Sequence, residues 1–166
     1  MTLAFLIEDQ VLWMTDASTI PPRALDILRY GLDHADSHAD STYNRPKRQL
    51  AIAFVDLSEV YPLRSHLSLQ TFLQMVDRLE ARETYAIGMN HTLCHGEIEA
   101  LGEEVQGVRR AGREDDFLRR VMYSGEKIAS DAAWDRLKEK RLCFRPSFDG
   151  MVVEVEVAEE GGKETL

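Results

Sequence analysis

The chain has 166 residues, 44% of them hydrophobic and 30% charged, with a formal net charge of -9. That is one ordinary domain or part of a larger one, long enough to bury a core. The negative charge argues against nucleic acid or an anionic membrane surface as a partner, though a bound cation would still admit a phosphorylated substrate. No apolar run reaches membrane-spanning length. Cys94 and Cys143 suggest neither a disulfide scaffold nor a Cys-rich zinc site. Residues 1–7 are apolar, but Glu8 and Asp9 end the run early and no basic region precedes it. The start therefore reads as a strand rather than a signal peptide, and the expected location is cytoplasmic.

Residues 3–8 and 11–15 are two apolar runs joined through Asp9-Gln10, which predicts a β-hairpin. A hairpin so close to Met1 suggests that an upstream part is missing. Asp16 then stops the strand, and Pro21-Pro22 opens a helix that Ser18 or Thr19 can cap, with Leu25, Leu28 and Leu32 on one face. Residues 34–46 are polar and read as a loop. Residues 50–55 are almost continuously apolar, as suits a strand buried on both faces. A strongly amphipathic helix follows from about Ser68, with Leu69, Phe72, Leu73, Val76 and Leu79 inward. Residues 83–87 form the next strand, and the strand–helix–strand order predicts that the two strands are parallel.

Residues 97–108 read as a weaker helix with Ile98, Leu101, Val105 and Val108 on one side and Gly102 in its interior. Short helices are expected at 117–122 and 131–140. Phe148-Asp149-Gly150 turns into 151–157, where Met151, Val153, Val155 and Val157 alternate with Glu154 and Glu156. That alternation predicts an edge strand with one wet face. The domain is expected to span 1–158, with 159–166 a flexible tail.

Polar residues at strand exits are the chemical candidates, because open α/β sheets build their sites at the carboxyl edge. Asp16 is either a carboxylate metal ligand or a helix-capping residue. His66, between a loop and a helix, is either a general acid or a histidine with no special role. His91 and His95 follow the strand 83–87. The strand end places His91 toward the site and His95 on the following helix, the alternative being two solvated loop histidines. Cys94 between them is a soft-metal ligand or a small packed residue. The run His34, Asp36, His38, Asp40 has metal-like spacing but no apolar frame, and reads as a solvated loop.

Taken in order, these segments resemble the C-terminal half of metallo-β-lactamase-fold hydrolases, in the phosphodiesterase-like branch. Thr15-Asp16-Ala17-Ser18 stands where that family has Ser-Asp-x-Ser after a hairpin. Phe54-Val55-Asp56-Leu57 matches a buried strand ending in Asp. Pro62-Leu63-Arg64-Ser65-His66-Leu67-Ser68-Leu69 matches a Pro-x-x-Ser-His-x-Ser-Leu helix start. The segment 85–91 matches a strand ending in a His motif, and Phe148-Asp149-Gly150-Met151 the opening of a final strand. The likeness covers about residues 3–95 and 144–157.

The resemblance implies an α/β fold: half of an αββα sandwich, one mixed sheet with helices on one face. It implies that Asp16 and His91 ligate a divalent metal, zinc or manganese, and that His66 is the catalytic proton donor. The substrate class would be a small phosphorylated or ester compound. Two departures accompany it. Many members carry Thr-His-x-Ser-His at the last motif, with the first His a ligand; here that place is Gly88. The His-x-His-x-Asp-His string that supplies most ligands in the family is also absent from the sequence. The chain is therefore expected to be a C-terminal portion of a metal-dependent hydrolase, inactive alone, with a bare inner sheet face. The alternative is a non-catalytic module that keeps the half-fold for dimerisation or partner binding. A third reading is a complete small α/β protein whose helices at 117–140 cover the sheet.

Overall fold

A computed structural model of the chain describes residues 3–17, 19–31, 48–60, 67–90, 93–108 and 131–155. In chain order the elements are β1 (Leu3–Ile7), β2 (Val11–Thr15), α1 (Pro22–Tyr30), β3 (Ile52–Asp56), α2 (Leu69–Leu79), β4 (Glu83–Ile87), α3 (His95–Gln106), α4 (Asp131–Lys140) and β5 (Phe144–Pro146). The strands form one mixed sheet in the order β1-β2-β3-β4-β5. β1 and β2 are the antiparallel hairpin that the sequence predicts, and β2, β3, β4 and β5 run parallel.

Register divides the sheet into two faces. Leu6, Leu12, Ala53, Thr84 and Phe144 are successive partners across the strands, and so are Ala4, Met14, Val55, Ala86 and Pro146. This face meets the helices. Leu12, Met14, Ala53, Val55, Ala86 and Phe144 share one buried cluster with residues of all four described helices. α2 contributes every residue of its predicted inner face, and Ser68 caps it by accepting a bond from the Thr71 N–H. α4 packs against α2 and α3, and Lys140 bridges Asp77 at 2.7 Å and Glu80 at 2.8 Å.

The opposite face carries the row Phe5, Trp13, Phe54, Tyr85 and Arg145. Its ring centroids are 5.0 Å apart between Trp13 and Phe54 and 5.5 Å between Phe54 and Tyr85, within the range of favourable aromatic pairs. Phe5, Ile7 and Trp13 remain exposed at 57%, 53% and 41%. The mixed sheet with helices on one face is thus observed.

Several expectations are corrected. The strand expected at 151–157 does not form over its described part: residues 151–155 join no ladder. Alternation decides which side chains meet an apolar surface, but it does not supply a hydrogen-bonding partner. The place beside β4 is taken by β5, which the sequence reading missed because it is only three residues long. Met151, Val153 and Val155 instead pack over Ile52 and Tyr85 on the open face. Thr19 is not the cap of α1, and Ser18 lies outside the described residues. The cap is Pro21, without a side-chain bond, and a proline at the first turn leaves one fewer N–H to satisfy. Val108 is exposed, because α3 ends at Gln106 and Gly107 turns the chain away. The 34–46 loop, the 117–122 helix and the 159–166 tail lie outside the described residues.

Gly102 has a packing reason. A Cβ there would run into the backbone carbonyl oxygen of Phe144, so α3 lies against β5 only because residue 102 has no side chain. On an exposed helix, alanine would gain about 1 kcal/mol over glycine. Here Gly102→Ala is expected to lose about 1–3 kcal/mol, since the obstructing atom is backbone. The free energy of urea unfolding checks the sign.

Candidate functional site

Because β2, β3 and β4 are parallel, their carboxyl ends share one edge, and each exit carries a distinctive residue. Asp16 leaves β2 with φ 51°, the left-handed region that a short polar residue tolerates better than a bulky one. Its carboxylate-bearing residue is exposed. Asp56 ends β3 and is buried, with the Ser58 hydroxyl 3.1 Å from each carboxylate oxygen. Gly88 follows β4 with φ 66°.

Backbone bonds tie the last two exits together. The Leu57 N–H donates to the Ile87 carbonyl at 2.8 Å, and the Asn90 N–H to the Ser58 carbonyl at 3.3 Å. Asn90 Nδ2 also donates to Glu59 Oε1. α3 then begins at His95, behind Cys94, whose N–H donates to Glu97. His95 is thus on the helix, as expected. His66 and His91 lie outside the described residues, so of the three predicted site residues only Asp16 is placed. The His34–Asp40 run lies outside them as well.

A cavity of about 740 Å³ opens beside this edge. Trp13, Phe54 and Ile52 form its apolar floor, Gly88, Met89 and His95 one wall, and residues 147–151 with Val153 and Val155 another. Ser147 anchors that second wall by donating from its hydroxyl to the Ala86 carbonyl at 2.9 Å. Apolar lining with a few polar groups suits a small organic ligand. Asp149 and His95 are the ionisable side chains among its lining residues.

The donor set meets a divalent cation only in part. Asp16 offers hard oxygen at an exposed exit. Position 88 offers nothing, and a Cβ on Gly88 would collide with Asp56 Oδ1. Among the described residues, no group of three or more His, Cys, Asp or Glu side chains is placed to hold a metal. No helix there is long and apolar enough to cross a membrane.

Sequence reading noted Asp56 as the end of a buried strand but gave it no role at the site, and it did not single out the aromatic row or residues 147–155 as a cavity wall. The aromatic row had no sequence signal, since Trp13, Phe54 and Tyr85 belong to three separate strands.

No family model and no curated protein matches the chain. Among solved structures it is similar to one described as a new diphosphatase from the PhnP family, at 20% identity and a TM-score of 0.46. The match covers 89% of this chain and 36% of that one, so the chain spans little more than a third of that structure's length. A likeness of this degree leaves the fold to be argued from the strands and helices themselves.

At the far end of the open face, Tyr85 donates its hydroxyl to Glu83 at 2.5 Å while Arg145 lies 5.9 Å over its ring. Burial, then the Glu83 hydrogen bond and charge, push the phenol from its ordinary value near 10 up to about 12. The folded state therefore keeps a proton that the unfolded chain loses first. That contribution is complete below pH 10 and is lost as pH rises toward 12. Tyr85→Phe should flatten the fall in stability across this window, measured as the urea midpoint against pH.

Proposed function

We propose that the chain is the C-terminal portion of a metal-dependent hydrolase of the metallo-β-lactamase superfamily, acting on a phosphodiester or related ester and inactive alone. The observation that carries the reading is the one-sided sheet. Helices cover one face, and the other presents Phe5, Ile7 and Trp13 to water beside the edge where Asp16 leaves β2. A second apolar sheet packed on that face would complete a two-sheet sandwich and bury the aromatic row.

In this reading Asp16 and His91 would hold a zinc or manganese ion, which would supply Lewis-acid activation of a water molecule, and His66 would donate the proton to the leaving oxygen. Trp13 and Phe54 line the apolar floor of the cavity. The missing partner is the N-terminal half with its own ligands, the substrate a small phosphorylated or ester compound, and the location cytoplasmic.

A second reading rests on the same exposed side chains: a non-catalytic module that uses the face for dimerisation or partner binding. An apolar patch of this kind is more often an interaction surface than a bare surface. The reading of a complete two-faced domain is less favoured, since α4 joins the existing helical layer through Trp134 and Leu137.

The purified 166-residue chain, supplied with zinc or manganese, is expected to hydrolyse bis(p-nitrophenyl) phosphate no faster than the metal alone. Metal-dependent turnover that Asp16→Ala abolishes would overturn the inactive-alone reading. Light scattering separates the alternative: a stable dimer favours the binding module, and a well-behaved monomer counts against it.

A further inference from the structure

Gly88 stands where many members of the resembling family place a ligand histidine, and two features bar a side chain from it. Its φ of 66° is in the left-handed region, and a Cβ would overlap Asp56 Oδ1. Asp56 is not a freely swinging obstacle. It is 6% exposed, its two oxygens both receive Ser58 at 3.1 Å, and the Leu57–Ile87 backbone bond holds the β3 exit against the β4 exit. A short buried side chain has few other rotamers to adopt.

We propose that the Asp56 carboxylate closes position 88 to any side chain, so that a cation at this sheet edge takes no side-chain ligand from residue 88. The departure from the family pattern is then a replacement built into the packing, an Asp–Gly pair, which a histidine alone does not reverse. The chemical meaning of this closure rests on the proposed hydrolase reading; its geometry does not.

Alanine scanning with a matched control tests it. Gly107 has φ 73° and open space around its Cβ position, so Gly107→Ala reports the left-handed strain by itself. In buffer with EDTA, Gly88→Ala is expected to lower the Tm by about 4 °C or more beyond Gly107→Ala. In an Asp56→Ala background that excess should vanish. If Gly88→Ala does not fold, folding of Asp56→Ala/Gly88→Ala supports the closure and its failure overturns it. Equal losses at 88 and 107, or an excess that persists without the Asp56 carboxylate, also overturn it. Zinc titration adds an independent readout. Gly88→His should bind zinc no more tightly than the natural chain, whereas a tenfold gain at unchanged Tm would overturn the closure. Zinc binding that Asp16→Ala leaves unchanged would count against the hydrolase reading while the Tm comparison still decides the closure.

Discussion

The structure depends on a sheet whose strands are apolar on both sides while only one side has helices. β3 shows the constraint most clearly. Ala53 and Val55 point into the helical core, and Ile52 and Phe54 point the other way. Its hydrogen bonds are taken on both edges by β2 and β4. A strand in that position cannot turn its second face to water without cost, because burial of such side chains is worth about 1.5–3 kcal/mol each. The chain meets part of the demand with Met151, Val153 and Val155, which lie over Ile52 and Tyr85. Phe5, Ile7 and Trp13 are left over.

That imbalance links fold to chemistry. The carboxyl edge that bears Asp16, Asp56 and Gly88 borders the uncovered face, so anything packed there would also wall the cavity. The aromatic row makes the floor apolar, and the exits of β3 and β4 are joined by the Leu57–Ile87 and Asn90–Ser58 backbone bonds. One side of a site is therefore preorganised. The opposing side is what the proposed N-terminal half would bring.

Much of the architecture was legible in the sequence. The hairpin, the buried strand read at 50–55 and found at Ile52–Asp56, the cap at Ser68 and the inner face of α2 all follow from local patterns. β5 was not legible, since three residues carry no period. The segment 151–155 misled for the converse reason: its alternation is real, but strand formation needs a neighbour with free backbone groups. Of the candidate site, Asp16 at a strand exit and His95 on a helix were readable from their flanks.

What the sequence determined by itself was most of the elements, β5 excepted, and which side of each is apolar, because periodicity and capping act over a few residues. The pairing order of the strands, the aromatic row that crosses three of them and the contact between Asp56 and Gly88 were decided only by tertiary structure. Asp56 and Gly88 are joined by no local pattern. They meet because parallel pairing sets Asp56 opposite Ile87 and carries the next residue, Gly88, over the carboxylate. Whether a glycine at that place is a lost ligand or a packed position is a question of distance, and distance between strands is a property of the fold.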